Sequence, residues 1–411
     1  MFSQDRYSRL SVRSVRALYL FLYIGLAAWS TQFYAFLERD RSLTGVEIGA
    51  LAAVQQINNM LILPIWGMIS DRYGKRKIFL ILLACAAVCI EGFLLNGNFW
   101  FYLGFILLFT AINNPLAALA DAFALEKSKQ SIVSAGYGSM RLWASLGWAL
   151  SSFGTGMLVK HGGFSFGIIF PITSVSYVVT WIIAYTSLNQ KHEKTTSKPP
   201  SFQTLHGLLL QNKRVVLFFL FCMLYYILNA PLLNMISIYY TEICSEYYTS
   251  LSLDDLNAKM GFVVGIACGV QSLCELPFMF YADKLIRRFG TKKIIVFTML
   301  VAAARMLLYG ISNNPWFSIC VGCLHGITLG LFWVAAVSYV HSQVPVEQNS
   351  TGQMLFNTFL AIGTCLGNLL TGFMKDYVTI RTGMMMNACV IIILVISAMF
   401  VSRVITKSMC K

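Results

Sequence analysis

Charge is what this chain has least of. Only 12% of its 411 residues are Asp, Glu, Lys or Arg, against about 25% in an ordinary soluble domain. That scarcity excludes a disordered protein and a typical cytosolic enzyme. No P-loop is present, so nothing supports direct ATP drive. There is no His-Glu-x-x-His spacing, no metal-ligand cluster and no nucleophile constellation, and so no metal or cofactor is expected. An intramembrane enzyme using Asp121 or Glu275 as acid or base would lack the repeated acid pair such chemistry needs. The 11 cysteines lie mostly inside apolar runs, as at Cys85, Cys89, Cys222, Cys268 and Cys365. Cys320-Val-Gly-Cys323 has no second pair to complete a zinc site. These cysteines read as small packing residues, neither a disulfide scaffold nor a redox site. Arg6, Arg9, Arg13 and Arg16 precede a long apolar run without a small-residue cleavage site, which reads as a first span and not a cleaved signal peptide.

What is abundant is apolar length. Hydrophobic residues make up 57% of the chain and mean hydropathy is +0.67. Apolar stretches recur at roughly 17–37, 48–70, 78–95, 99–124, 138–159, 164–187, 215–241, 260–282, 294–311, 316–340, 352–374 and 383–402, most of them long enough to cross about 30 Å of hydrocarbon as helices. Lipid offers no partner to unpaired backbone groups, so helices are required. The expected fold is all-α: twelve transmembrane helices in two pseudo-symmetric six-helix bundles, 1–188 and 215–411, joined by a linker at 189–214. That linker contains Lys191-His-Glu-Lys-Thr-Thr-Ser-Lys-Pro-Pro, a flexible composition. The 242–259 stretch is expected to be the largest external loop.

Placing both termini in the cytoplasm puts most Lys and Arg on the inner side, leaving Arg39, Arg41, Lys160, Lys259, Lys375 and Arg381 outside. The net charge of +14 is then a positive-inside signal and needs no nucleic acid. A multi-pass protein of the plasma membrane follows, with the bilayer as partner and a functional monomer expected.

One motif occurs twice. Gly67-Met-Ile-Ser-Asp71-Arg72-Tyr-Gly74-Lys75-Arg76-Lys77 separates spans two and three. Ala282-Asp283-Lys284-Leu-Ile-Arg287-Arg288-Phe-Gly290-Thr-Lys292-Lys293 separates spans eight and nine. The first resembles the signature loop of the major facilitator superfamily, G-x-x-x-D-R-x-G-R-R; the second is a looser copy. An Asp at a helix end can accept from a neighbouring helix N-terminus, and Gly permits the tight turn. Gly67, Asp71, Arg72, Gly74, Asp283 and Gly290 are therefore gating candidates, alongside their role in topology.

A narrower resemblance covers most of the chain. Leu119-Ala-Asp121-Ala-Phe-Ala-Leu-Glu126-Lys127 with Tyr137-Gly-Ser-Met-Arg141-Leu-Trp-Ala-Ser145-Leu-Gly147-Trp148 is similar to spans four and five of the lactose-permease branch. There an acid and an Arg bind sugar hydroxyls and a Trp stacks on the ring, which implies those roles for Asp121, Arg141 and Trp148. Arg305 and His325 match that branch's proton-coupling Arg and His. Two positions depart: Thr328 stands where the acid after that His belongs, and Ser272 where span eight carries its acid. Glu275, about one turn on, is a replacement candidate. Glu275-Leu-Pro277 and Leu324-His-Gly-Ile-Thr328 look more like the phenylpropionic-acid permease branch.

Counting charges inside the spans leads to the same residues. Glu91, Asp121, Glu275, Arg141, Arg305 and His325 each cost about 2.5–3.5 kcal/mol to insert at the centre, so they should pair and face inward. Asp121 and Arg141 sit about 9–11 Å from one cytoplasmic hairpin on antiparallel neighbours, at matched depth. Either a substrate interrupts that pair or it only joins helices. Arg141, Ser145 and Trp148 fall at i, i+4 and i+7, combining a planar donor with a flat ring on one face. Arg305 and His325 are expected near the midplane. Glu275 is the expected proton carrier, Arg305 its modulator and His325 a relay or substrate ligand. Gln55 and Asn59, with Gln56 and Asn58 beside them, Asn114 beside Pro115, and Asn229 before Pro231 line a cavity or bond helices together.

The resemblance thus implies a secondary transporter, not an enzyme. It would move a small organic solute, a sugar or an aromatic acid, by alternating access with protons. An uncoupled uniporter or proton antiporter is the alternative, since Thr328 replaces an acid. A non-transporting ligand sensor on the same scaffold is the reading from another class.

Overall fold

The computed structural model describes residues 2–130, 137–162, 165–188, 213–344 and 349–409. Among these there is no strand. The helices are α1 (Phe2–Arg39), α2 (Gly45–Tyr73), α3 (Lys75–Cys89), α4 (Phe99–Asn113), α5 (Pro115–Gln130), α6 (Tyr137–Gly162), α7 (Ile169–Ser187), α8 (Lys213–Leu233), α9 (Ile236–Tyr247), α10 (Leu253–Phe289), α11 (Thr291–Ile311), α12 (Pro315–Gly322), α13 (Phe332–Gln343), α14 (Asn349–Tyr377) and α15 (Ile380–Met409). Among the described residues, twelve stretches are long and apolar enough to cross a membrane. The expected linker lies outside the described residues except for Lys213 and Arg214 at the start of α8.

Proline and asparagine interrupt two spans where the sequence places them. Pro115 has no N–H and its ring excludes the preceding turn, so α4 ends at Asn113 and α5 starts at Pro115. The second break falls at Asn234, three residues after Pro231, between α8 and α9. Pro64 and Pro277 instead sit inside continuous helices.

The expected external loop over 242–259 is mostly helical: α9 runs to Tyr247 and α10 already begins at Leu253. The reason is a capping box. Asp255 N donates to Ser252 Oγ (3.2 Å), and that hydroxyl donates to Asp255 Oδ2 (2.6 Å). α2 begins the same way: Thr44 N donates to Glu47 Oε2 (2.8 Å) and Glu47 N to Thr44 Oγ1 (3.3 Å).

The described residues pack as two compact units. One comprises Met1–Leu43, Val54–Lys198 and Tyr248–Leu273; the other comprises Thr44–Ala53, Pro199–Tyr247 and Cys274–Lys411. Segments 44–53 and 248–273 therefore group differently from the halves expected at 1–188 and 215–411. Glycine accounts for both. A Cβ at Gly49 would sit 2.7 Å from the Asn368 carbonyl oxygen, and one at Gly265 would sit 2.4 Å from that of Ser152. The first turn of α2 thus lies against α14, and its Gly45 and Val46 N–H groups both donate to the Asp376 carboxylate at 2.7 Å.

In the first unit α1 packs chiefly on α6 and α7, and α3 on α7. In the second, α8 packs on α14 and α11 on α15, which repeats that arrangement. Backbones approach closely in both: a Cβ at Gly147 would meet the Leu20 carbonyl oxygen at 2.4 Å, and one at Gly367 that of Ile227 at 2.4 Å. Hydroxyls bond across the seams, with Ser151 Oγ donating to Ile24 O (2.7 Å) and Thr173 Oγ1 to Gly25 O (3.1 Å). Trp29, Phe33, Phe93, Phe109 and Phe170 interlock edge-on and stacked in the first unit.

Gly147→Val should force α1 and α6 apart and cost about 1–3 kcal/mol, read as a lower melting temperature in detergent. Gly104→Ala, where an added Cβ meets nothing within 4 Å, should leave it unchanged or raise it through the roughly 1 kcal/mol helix preference of Ala.

Candidate functional site

The first cluster joins α1, α5 and α6 inside one unit. Arg141 Nη1 donates to Asp121 Oδ1 at 2.6 Å, and the Tyr19 hydroxyl donates to that same oxygen at 2.6 Å. The Arg141 guanidinium lies 5.2 Å from the Tyr23 ring centroid, and Tyr23 is 6.0 Å from Tyr19 and 6.5 Å from Trp148. The site is an ion pair walled by aromatic rings. Its side chains remain accessible, 40% exposed for Arg141 and 31% for Asp121.

Tyr19 and Tyr23 were not among the sequence candidates. They lie one helical turn apart in an apolar run. Only the packing of α1 brings Tyr19 to Asp121, 102 residues away. Ser145 contributes its backbone carbonyl, which accepts from Ser272 Oγ at 3.2 Å. The position of the missing span-eight acid is thus used for a helix contact.

The polar residues of α2 divide. Gln55 Oε1 accepts from Tyr34 OH (3.1 Å). Asn58 donates to Leu107 O (2.8 Å) and Thr110 Oγ1 (2.7 Å), which fastens α2 to α4. Asn59 is half-buried and makes no hydrogen bond among the described residues. Asn114 closes α4, its N–H donating to Thr110 O (3.0 Å). Asn229 is fully buried, with Oδ1 unpaired.

The second cluster lies in the other unit. Arg305 on α11 is 1% exposed. Its Nη1 donates to His325 Nδ1 (3.0 Å) and to Thr328 Oγ1 (3.1 Å), and its Nη2 to Tyr309 OH (3.2 Å). His325 Nε2 stands 2.8 Å from Glu275 Oε1 on α10. A six-residue π turn, Gly326–Leu331, follows His325, an irregularity frequent at functional sites.

These contacts fix the histidine's protonation. Arginine only donates, so Nδ1 must be the bare acceptor, and Nε2 carries the hydrogen that Glu275 accepts. His325 is therefore neutral, between a cation and a carboxylate. Thr328 keeps the hydrogen-bonding part of an acid's role, accepting from Arg305 and donating to His325 O (3.2 Å), without adding charge.

The repeated loops match in detail. Gly74 and Gly290 are the positive-φ glycines among the described residues, at 97° and 84°, and both stand at the N-caps of the helices that follow. In each copy the glycine N–H closes the preceding helix, to Ser70 O (2.9 Å) and Ile286 O (2.8 Å). Gly67 is open, and Arg72 lies over the Tyr73 ring at 5.4 Å. Asp71 and Asp283 form no ion pair or hydrogen bond among the described residues.

A twelve-span all-helical chain, with duplicated turns and paired charges inside its spans, has the architecture of a membrane transporter. The MFS_1-like family profile matches residues 12–386, and the chain belongs to that family of major facilitator transporters. It is a multi-pass protein of the plasma membrane and not an enzyme. The maltose permease of Geobacillus stearothermophilus is 26% identical over 351 residues, 85% of this chain and 83% of that protein. The sucrose permease of Escherichia coli is 22% identical over 378 residues, 89% and 87% respectively. Among solved structures, the nucleoside transporter NupG shares the fold with a TM-score of 0.80 at 16% identity, over 95% of this chain and 98% of that one.

The two clusters should respond differently to mutation. The Asp121–Arg141 pair is accessible, so Asp121→Asn should cost less than about 1 kcal/mol. Arg305 is buried, and Arg305→Ala should cost on the order of 3 kcal/mol by leaving Glu275 without its counter-charge. Melting temperatures of the two purified variants check the ordering.

Proposed function

We propose that this protein carries a neutral, hydroxyl-bearing ring solute, a sugar or nucleoside, by proton-coupled symport. The observation that carries the reading is the pairing of Asp121 with Arg141 amid Tyr19, Tyr23 and Trp148. Asp121 already neutralises the guanidinium. An aromatic carboxylate would have to displace Asp121 and leave it unpaired, whereas a polyol can accept from Arg141 and donate to Asp121 together. Flat rings suit the apolar face of a sugar or a base. The names of the relatives, maltose and sucrose permeases and a nucleoside transporter, support the same chemistry.

The proton enters at Glu275. Protonating His325 would set an N–H against the Arg305 donor, so His325 cannot take the proton until Arg305 moves. Glu275 has one oxygen on His325 and accepts a proton without disturbing that ring's tautomer. Loading it removes the counter-charge of buried Arg305 and favours rearrangement of the cluster; release restores the pair. Uncoupled or exchange transport is the second reading, favoured by the neutral Thr328 hydroxyl at Arg305.

The remaining assignments follow the sequence. We place both termini in the cytoplasm, with the two repeats at 1–188 and 215–411 joined by the 189–214 segment in a functional monomer. Asp71 and Asp283 act as latches that engage in another conformation than this one. Gln55, Asn59 and Asn114 contribute further polar contacts to the solute.

Proteoliposomes test this directly. Maltose, sucrose and uridine are offered under an inward-directed pH gradient. Glu275→Gln should reduce uphill accumulation to the equilibrium level while exchange persists. Normal uphill uptake by that variant removes Glu275 from the mechanism. Arg141→Ala should abolish solute-dependent thermal stabilisation; unchanged affinity makes the pair structural.

A further inference from the structure

We propose that Cys274 and Cys323 form a dithiol site that a membrane-permeant two-electron oxidant closes to a disulfide, and that closure arrests transport. The arrest rests on the transport function proposed above; the site itself does not.

The cysteines read from sequence as packing residues, and the only suggestive spacing, Cys320-Val-Gly-Cys323, joins residues of one helix. The partner lies elsewhere. The Cys274 thiol on α10 neighbours the Cys323 thiol at the end of α12. The backbones meet at this level: a Cβ on Gly326 would sit 2.1 Å from the Cys274 carbonyl oxygen. Cys323 lies three residues before Gly326, in the turn that joins α12 to the π segment. Cys323 is exposed and Cys274 half-buried, and both are reduced, so a small apolar reagent can reach them. Cys85 and Cys89 also neighbour one another, but they share α3, and a bond between successive turns of one helix restrains nothing else.

The bond's position gives it an effect. Cys274 precedes Glu275, and Cys323 stands two residues before His325. A disulfide would tie α10 to α12 beside the Glu275–His325 contact and hold those helices in one arrangement.

The chemistry balances with a diazenedicarboxamide as oxidant. One thiolate adds to the N=N bond, forming an S–N bond while the nitrogen pair takes up a proton. The second thiol sulfur attacks that sulfur, the S–S bond forms, and the S–N bond breaks. The hydrazine departs with the second proton. Two electrons pass from the thiols to nitrogen.

The test treats full-length protein in liposomes with diamide, then alkylates, digests and maps peptides by mass. The expected result is a Cys274–Cys323 linked peptide, with maltose, sucrose or uridine counterflow lost and recovered on adding dithiothreitol. Cys274→Ser and Cys323→Ser should form no such peptide and keep counterflow under diamide. A Cys320–Cys323 link, or alkylation of both Cys274 and Cys323 after treatment, overturns the site. A linked peptide with undiminished counterflow overturns the arrest. If untreated protein shows no counterflow of any solute, the transport reading fails instead, and the peptide map still decides the site.

Discussion

Buried Arg305 sets the terms for the second half of this transporter. A guanidinium removed from water must be neutralised nearby or it destabilises the fold by several kcal/mol. One route of compensation runs through a neutral histidine to Glu275 on another helix. The position of α10 relative to α11 and the π turn, the tautomer of His325 and the role of Thr328 all follow from satisfying one charge. The accessible Asp121–Arg141 pair in the other cluster faces no such demand. Its side chains stay accessible while paired.

Much of this was legible in the sequence because charge is so scarce. When only a few ionisable groups fall within apolar spans, each is informative, and depth along a helix is simple to count. Asp121 with Arg141, and Arg305 with His325, were found this way and are brought together. The repeat was legible through Gly74 and Gly290, whose conformations only glycine adopts readily. Glu275 was legible as a replacement for the absent acid because its neighbouring turn carries none.

What escaped has physical reasons. Tyr19 and Tyr23 are two tyrosines among 19, and nothing local marks them until α1 is packed on α5 and α6. Asn58 and Asn59 are adjacent and chemically identical, yet one bonds α4 and the other does not; a step of about 100° around the helix decides. The expected loop over 242–259 failed on a readable signal. Ser252-Leu-Asp-Asp255 and Thr44-Gly-Val-Glu47 are capping boxes, and the second foretells the first in a duplicated chain. The thiol contact of Cys274 with Cys323 was hidden because the readable spacing pointed to Cys320.

Pro277 has a mechanical meaning. α10 is a continuous helix of 37 residues, but a proline supplies no N–H to the carbonyl four residues earlier, which here belongs to Leu273. The rod therefore has a compliant joint at the turn that carries Glu275. Bending there costs no backbone hydrogen bond, because that bond was never formed. Any force on the Glu275 side chain would act on this helix where its backbone resists bending least.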